Sequence, residues 1–339
     1  MLNIYQCRHG QFFHFANDTC IGLSLARYGE WAEYELYSLH HFIQPGMTIL
    51  DVGSNVGTHA IAFGRMVGPE GKVIAIEAQP LIHKILSSNI VHNRIDNIFP
   101  LNVLAGAAEG MVSFKQARVS DAQNFGAVSF GDTETGNSDD TLFCTKLPVV
   151  PLDTMELSAC DLIKIDVEGM EFDVLTGGMN LLQRFKPVIY FEQRSEHNFS
   201  QLFHLLKGMG YRLFWHVAYP FNSNNLNRHS ENIFGDSSEV NVLAVPGRLS
   251  VGTTDMVEIL KPIFAPPTPA DMLLGYPVPQ YLPPVAASDC GNAEYDALRR
   301  KLGQWEAEFK ALLIDRGKAQ EIMEAQAKRI TELEMQVAR

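Results

Sequence analysis

Basic residues are scarce in this sequence: 27 lysines and arginines stand against 39 aspartates and glutamates, a formal net charge of −12 over 339 residues. A chain of this charge has no global positive field to attract a polyanion, so we expect no nucleic acid partner. Long apolar runs are missing too, since no window approaches the roughly 20 uninterrupted apolar residues of a membrane-spanning helix. Any membrane association is therefore expected to be peripheral or to occur through a partner.

Cysteine is sparse and scattered. The five cysteines are odd in number and form no Cys-x-x-Cys pair, which argues against a disulfide framework and against a zinc ribbon. The first ten residues contain no basic region followed by an apolar run, so we expect no secretory signal. These absences predict reduced thiols and a cytoplasmic location.

Apolar residues make up 46% of the chain, enough for a core of ordinary size. A hairpin is predicted within residues 2–24 and a helix over 30–42. Strand-like runs then alternate with helix-compatible segments, at 47–52, 73–76, 99–104, 162–167, 188–191, 211–217 and 240–245. This alternation predicts right-handed βαβ units and an α/β fold with a doubly wound, mostly parallel sheet. Because ligands bind such sheets at the carboxyl ends of the strands, residues that follow strands are the first site candidates.

A glycine-rich turn, Asp51-Val-Gly53-Ser-Asn55-Val-Gly57, follows the first predicted strand. Its spacing differs from the Gly-x-Gly-x-x-Gly of dinucleotide folds, and Asp51 puts negative charge where a pyrophosphate would lie. A carboxylate there suits a ligand that has an α-ammonium group and no phosphate. Glu77 follows the next predicted strand, where a carboxylate can accept both ribose hydroxyls. The two carboxylates predict S-adenosylmethionine, with a nicotinamide-dependent oxidoreductase as a rival that would bind NADH instead.

Three motifs in this order resemble the FkbM family of class I S-adenosylmethionine-dependent methyltransferases. They are the glycine turn, then Ile76-Glu77-Ala78-Gln79-Pro80, then Leu162-Ile-Lys-Ile-Asp166-Val-Glu168-Gly169-Met-Glu171, within a resemblance over residues 20–246. The resemblance implies a seven-stranded, Rossmann-like methyltransferase sheet. It also implies a cofactor site made of Asp51, Gly53, Asn55, Gly57, Glu77, Ala78, Ala105 and Gly106. The family's activities are mostly O-methylations of sugars, glycolipids and polyketides.

Methyl transfer to a hydroxyl needs alignment with the sulfonium carbon and a group that takes the hydroxyl proton. Two neighbouring predicted strands end in carboxylates, which makes Asp166, Glu168 and Glu192 the catalytic candidates. Asp166 or Glu168 is the expected general base. His197 and His216 are weaker candidates, because a histidine more often has an ordinary surface or core role.

The same strand ends offer oxygen ligands of the kind that Mg²⁺ prefers, and a bound Mg²⁺ lowers the pKa of a coordinated hydroxyl. The predicted ligands are Asp166, Glu192 and Gln193, an arrangement similar to that of the metal-dependent macrocin and catechol O-methyltransferases. Gln193 departs from the Asp or Asn usual there, so the third ligand stays open. The metal-free alternative uses a general base alone.

Two irregular segments are candidates for contact with the acceptor. Residues 219–232 are rich in amides and aromatics, which suits hydrogen bonding and stacking against sugars, although an ordinary surface loop has the same composition. Residues 115–145 form a polar, acidic insertion that either covers the acceptor or is an ordinary mobile loop.

The composition changes after Arg248. Eight prolines between residues 261 and 284 exclude a helix or central strand there. From Leu298 to Val337 apolar residues recur at alternating steps of four and three, which is typical of a coiled coil; one amphipathic helix folded back on the domain is the alternative. We predict a methyltransferase domain at 1–247, a Pro-rich linker at 248–292, and a coiled-coil helix at 293–339 that assembles a dimer or trimer.

The predicted function is an S-adenosylmethionine-dependent O-methyltransferase acting on a hydroxyl of a glycan, glycolipid or sugar-bearing precursor. A methyltransferase of a polyketide, lipid or other small molecule is the second possibility. A non-catalytic scaffold assembled through the coiled coil is the third. Binding of S-adenosylmethionine would distinguish the two enzymes from the scaffold, and the identity of the acceptor would distinguish the two enzymes from each other.

Overall fold

A computed structural model describes residues 2–115, 144–193, 196–249, 251 and 256–267. Most of the predicted acidic insertion, most of the Pro-rich linker and the whole predicted coiled coil at 293–339 lie outside the described residues. Those predictions therefore stay predictions.

The described elements alternate along the chain as the sequence predicts. In order they are β1 (Leu2–Cys7), β2 (Gly10–Phe15), α1 (Ile21–Tyr28), α2 (Glu33–His40), β3 (Thr48–Val52), α3 (Thr58–Val67), β4 (Lys72–Ile76), α4 (Pro80–His92), β5 (Ile98–Leu101), β6 (Leu104–Ala105), β7 (Gly110–Lys115), β8 (Cys144–Val150), β9 (Leu162–Ile165), α5 (Glu171–Thr176), α6 (Met179–Phe185), β10 (Val188–Glu192), α7 (Phe199–Gly208), β11 (Tyr211–Ala218), β12 (Glu239–Pro246) and β13 (Val257–Glu258).

One mostly parallel sheet forms the centre of the fold, with strand order β13-β11-β12-β10-β9-β3-β4-β5. The five strands from β10 to β5 are parallel to one another, and β12 runs antiparallel to both β10 and β11. The mostly parallel sheet is thus confirmed. An eighth, two-residue strand, β13, extends the expected seven strands at one edge.

The central strands are buried along their whole length. Every residue of β3, β9 and β10 is buried, because helices cover both faces of the sheet and a strand between two covered faces needs an apolar run rather than an alternating pattern. The chain order reverses between β3 and β9, which opens a crevice at their carboxyl ends. This crevice is where the candidate site lies.

The N-terminal elements form a cover over this end of the sheet. The hairpin β1–β2 is antiparallel, and its strand β2 is held against α4 by the amide N–H of Phe13, which donates to Asn89 at 2.7 Å. The expected helix over 30–42 is shorter, at Glu33–His40, and an additional helix, α1, precedes it. The expected strand over 99–104 is divided in two, because β6 leaves the central sheet and pairs with β8.

No helix in the described part of the chain is long and apolar enough to cross a membrane.

Candidate functional site

A cleft of about 930 Å³, including its solvent-open part, lies at the carboxyl ends of β3, β4 and β9. One wall consists of the glycine turn and the ends of β4 and β6. The floor is polar and comes from α3, β9 and β12. The opposite wall belongs to the N-terminal cover, with Cys20, Ile21 and Trp31.

The glycine turn owes its shape to one close backbone approach. Gly53 has φ +82°, and a β-carbon at this position would lie 1.8 Å from the carbonyl oxygen of Asp166. Only glycine lets the ends of β3 and β9 come this close. The left-handed backbone of Asn55, at φ +51°, then turns the chain towards α3, with the side-chain Oδ1 of Asn55 accepting from the N–H of Val56 at 2.7 Å.

Glu77 connects the glycine turn to the end of β4. Its Oε2 accepts from the N–H of Asn55 at 2.9 Å and its Oε1 from the N–H of Gln79 at 2.7 Å. Burial raises the pKa of Glu77 to about 7, although both hydrogen bonds act in the opposite direction. Each oxygen keeps lone pairs beyond its single backbone donor, so the carboxylate has the acceptor capacity that a vicinal diol requires.

Asp51 occupies a different place from the one the sequence suggested. Its side chain is completely buried, does not line the cleft, and accepts no hydrogen bond from the described residues. Asp51 and Lys164 are paired across β3 and β9, so their side chains share one face of the sheet. The buried carboxylate therefore acts electrostatically on Lys164. Its contact with the ammonium group of a ligand stays a prediction.

Lys164 is the cation of the cleft floor. Its side chain is only 5% exposed, and its Nζ donates to Oδ2 of Asp166 at 3.1 Å. Burial by itself lowers the pKa of Lys164, but Asp166, Asp51 and Glu35 more than offset this effect and raise the pKa well above its ordinary value. The ammonium is therefore charged at neutral pH. It holds the Asp166 carboxylate, which is 41% exposed, at the cleft surface.

Next to Lys164 the floor contains a pair of hydrogen-bonded carboxyl groups, Glu35 from α2 and Glu239 from β12. Burial raises the pKa of both groups. Glu35 is further held by the Nδ2 of Asn241 at 3.0 Å and lies 3.1 Å from the Nε2 of His59. Burial, with the nearby Lys164, lowers the pKa of His59 to about 3, which keeps this imidazole neutral.

Sequence reasoning missed this floor. Lys164 had a recognisable signal, because a lysine inside the apolar run Leu162–Ile165 of a central strand must have a buried counter-charge. Glu35 and Glu239 had none, since they lie 204 positions apart and meet only through the fold.

The predicted catalytic carboxylates do come together. Asp166, Glu168 and Glu192 each present a carboxylate oxygen, and these atoms lie within 4.8 Å of one another. Glu168 joins Asp166 and Glu192 in this cluster, and the Nε2 of Gln193 donates to the carbonyl oxygen of His197 at 3.0 Å, so Gln193 as a metal ligand stays a prediction. Glu168 reaches this position through a left-handed backbone, φ +54°, a strained conformation that is concentrated at functional sites.

The remaining predicted residues separate into two groups. Those that line the cleft are Gly53, Asn55, Glu77, Ala78 and Ala105. Gly57 and Gly106 do not line it. A β-carbon at either would meet a neighbouring side chain, Leu86 or Val149, at 2.7 Å, so these glycines allow close packing instead. His216 is also remote: it is fully buried, between the hydroxyls of Tyr190 at 2.7 Å and Ser38 at 3.0 Å.

The amide-rich loop at 219–232 uses two of its amides to hold its own shape. Asn222 and Asn225 are buried. The Nδ2 of Asn222 donates to Glu30 at 2.8 Å, and that of Asn225 donates to the carbonyl oxygens of Asn222 and His229. Neither side chain belongs to the cleft wall. The chain just after this loop approaches the cleft through Phe234, whose ring packs edge-on against Trp31 at 5.9 Å.

Comparison with known proteins gives a consistent result. Residues 51–213 match the family model described as the methyltransferase FkbM domain. The chain is 32% identical over 92 residues, 27% of its length, to a protein-L-isoaspartate O-methyltransferase of Triticum aestivum, covering 40% of that protein. It is 30% identical over 139 residues, 41% of its length, to the hexuronic acid methyltransferase AglP of Haloferax volcanii, covering 53% of that protein. The chain thus spans about half, or less, of the length of these curated relatives.

Among solved structures, the chain is similar to a methyltransferase FkbM from Methylobacillus flagellatus KT. The sequence identity is 14% and the TM-score 0.38, and the similarity covers 61% of this chain and 50% of that one.

Proposed function

Because residues 51–213 are an FkbM methyltransferase domain, we propose that this protein transfers a methyl group from S-adenosylmethionine to a hydroxyl of a glycan, glycolipid or sugar-bearing precursor. One observation carries the proposal. A single cleft combines the glycine turn and Glu77 with the carboxylates of Asp166 and Glu168. The similarity to a protein named as a hexuronic acid methyltransferase supports a sugar as acceptor.

The residues of the cleft fit an adenosyl amino acid. Glu77 has acceptor capacity for the two ribose hydroxyls, and the neighbouring Ala78, Val103, Leu104 and Ala105 offer an apolar surface for adenine. Lys164 is the only lysine or arginine in the described lining and is paired with Asp166, so this lining offers no further lysine or arginine for the phosphates of a dinucleotide. When bound, the cofactor supplies a methyl group activated by the sulfonium.

The carboxylates supply the other half of the chemistry. Asp166 is partly exposed and is held at the cleft surface by Lys164, and Glu168 lies beside it. Either carboxylate can take the proton of the acceptor hydroxyl while the hydroxyl oxygen receives the methyl group. Lys164 orients Asp166.

A metal-assisted version of the reaction uses the same carboxylates. Asp166, Glu168 and Glu192 are oxygen ligands of the type that Mg²⁺ binds, and a metal there would acidify a coordinated hydroxyl. Turnover measured with Mg²⁺ and with a chelator decides between the two versions. Turnover that is unchanged by the chelator contradicts the metal-assisted one.

The first experiment is calorimetric titration with S-adenosylmethionine and S-adenosylhomocysteine. We expect binding to the wild-type protein, and an affinity roughly tenfold lower or worse for Glu77→Ala, because charge-assisted hydrogen bonds to the ribose are lost. Glu70→Ala, at an exposed position outside the cleft, is the matched control and should bind as the wild type does. No binding to the wild-type protein would refute the enzyme and favour the scaffold.

The second experiment is an acceptor screen, beginning with glycans and continuing with lipids and polyketides, with release of S-adenosylhomocysteine as the signal. On an accepted substrate, Asp166→Asn should reduce turnover by roughly 100-fold or more, because it removes a positioned proton acceptor. Unchanged turnover in this variant would contradict the role given to Asp166. Turnover confined to lipid or polyketide acceptors would favour the second class of enzyme.

A further inference from the structure

Lys164 is an unusual component of the cleft. Of the described residues that line the cleft, it is the only lysine or arginine. Its ammonium lies on the central strand β9 with carboxyl groups around it: Asp51 on β3, Asp166 at the end of β9, Glu35 on α2 and Glu239 on β12. The described part of the fold thus keeps one fixed positive charge at a ligand-facing floor that is otherwise acidic.

Neutralising buried carboxylates does not by itself require this lysine. A buried ion pair is often no more stabilising than apolar residues of similar volume, so its stability contribution is a weak reason for placing a lysine in a central strand. Lys164 also differs from its partner Asp51, because Lys164 lines the cleft whereas Asp51 lies beneath the floor. The ammonium therefore acts on any ligand in the cleft together with Asp166, which also lines the cleft, while Asp51 lies further from the ligand.

We propose that Lys164 sets the preference of the cleft between S-adenosylmethionine, whose sulfur is positively charged, and S-adenosylhomocysteine, whose sulfur is neutral, by opposing the carboxylates of Asp166 and Glu168. The inference rests on the proposed function, since it requires the cleft to bind these two ligands. A fixed positive charge whose side chain is only 5% exposed disfavours the sulfonium relative to the thioether.

The consequence for methyl transfer follows from the charge balance. The bond between sulfur and methyl breaks and a bond between the acceptor oxygen and methyl forms, the hydroxyl proton goes to a carboxylate, and the sulfur becomes neutral. A fixed ammonium in the same cleft raises the free energy of the charged reactant relative to the neutral product. Lys164 is thus a positioning residue for Asp166 that also contributes electrostatically to the transfer.

The test is the ratio of the two dissociation constants, measured by calorimetry at low salt with a chelator present. We compare Asp51→Asn with the double variant Lys164→Met/Asp51→Asn. Both lack the buried Asp51 carboxylate, so the two proteins differ at position 164 alone. Loss of the ammonium should shift the ratio towards S-adenosylmethionine by roughly tenfold, and added salt should reduce the shift.

Removing the Asp166 carboxylate should change the ratio in the opposite direction. Asp166→Asn removes the carboxylate hydrogen-bonded to the ammonium and should shift the ratio towards S-adenosylhomocysteine. Lys164→Met/Asp166→Asn should bring it back towards the wild-type value. This second comparison also isolates the charge of Lys164 if the first double variant does not fold, because both of its members lack the Asp166 carboxylate.

A purely structural role for Lys164 predicts something else. If removing the ammonium weakens both ligands by the same factor in both backgrounds, the ratio is unchanged and the inference is wrong. If the wild-type protein binds neither ligand, the proposed function itself has failed, which is a distinct result. A shift of the ratio towards S-adenosylhomocysteine on loss of Lys164 would also overturn the inference.

Discussion

At the scale of single residues, Glu77 couples ligand binding to pH. Its pKa of about 7 is raised by burial, so the carboxyl is partly protonated at neutral pH. The ionised form can accept both ribose hydroxyls, whereas the protonated form has a donor of its own and loses acceptor capacity. Affinity for the cofactor should therefore depend on the protonation state of this one side chain.

We expect the affinity for S-adenosylhomocysteine to rise between about pH 6 and pH 8, as Glu77 loses its proton. Glu77→Gln, which cannot ionise, should bind more weakly at high pH and show a flat profile over this range. Calorimetry across the pH series measures both. A wild-type profile that is flat, or a Glu77→Gln profile that keeps the rise, would assign the effect to another group.

The same shift has the opposite sign for the stability of the free protein. Because the pKa of Glu77 is about 7 in the folded chain and ordinarily 4.5, the folded state holds this proton more tightly than the unfolded state does. The stabilisation is complete below pH 4.5 and is lost as the pH rises through 7. Ligand binding and folding stability thus place opposite demands on the ionisation of Glu77.

At the scale of elements, the glycine turn depends on the contact between β3 and β9. Alanine at position 53 would have to adopt a left-handed backbone and would also collide with the carbonyl oxygen of Asp166. Alanine at position 46, where φ is +87° and no atom lies within 4 Å of the added carbon, meets only the first problem.

Gly46→Ala should therefore reduce the free energy of unfolding by about 1–2 kcal/mol, the cost of a left-handed alanine. Gly53→Ala should reduce it by more, because the ends of two central strands must separate as well. Urea unfolding of the two variants gives the comparison. Equal losses of unfolding free energy in the two variants would show that the backbone at Asp166 can move away from the added carbon without cost.

The N-terminal cover is connected to the loop at 219–232 by one carboxylate. Glu30, between α1 and α2, accepts from Nη2 of Arg8 at 2.7 Å, from Asn222 at 2.8 Å and from the N–H of Leu226 at 2.9 Å. The side chains of Arg8 and Glu30 are 8% and 2% exposed. Removing one partner strands a buried charge, which is far more destabilising than losing an exposed ion pair.

Glu30→Ala should lower the free energy of unfolding by about 3 kcal/mol or more. Glu258→Ala, which removes the partner of the exposed Arg212, is the control and should have a much smaller effect. Urea denaturation monitored by circular dichroism measures both. Similar losses of unfolding free energy in the two variants would mean that the hydrogen bonds of Glu30 stabilise the fold no more than an exposed ion pair does.

At the scale of the whole molecule, we expect the predicted coiled coil at 293–339 to set the state of assembly. The seam of apolar residues predicts a dimer or trimer, and removing residues 293–339 should reduce the molar mass measured by light scattering to that of a single subunit. Leu302→Asp/Leu312→Asp keeps the chain length and should have the same effect. If the truncated protein contains the same number of subunits as the full-length protein, assembly through this segment is disproved.

Part of this protein could be predicted from local sequence because local chemistry determines it. Apolar runs bounded by turns gave the mostly parallel sheet, since a strand between two covered faces has to be apolar. The glycine turn, Glu77, and the carboxylates at the ends of β9 and β10 were found because parallel strands bring their carboxyl ends to one edge. The FkbM resemblance of those motifs agrees with the family match over residues 51–213.

Other features were decided only by the tertiary structure, for a physical reason. Which residues face a ligand depends on side-chain direction and on partners distant in sequence. Asp51 lies buried in register with Lys164 across β3 and β9, Glu168 lies with Asp166 and Glu192, and Glu35 met Glu239 across 204 positions of chain. The sequence by itself determined the sheet, its ligand-binding edge and the types of side chain present there. The tertiary structure decided how the charged side chains are paired, because electrostatic pairing depends on distance in space and not on separation along the chain.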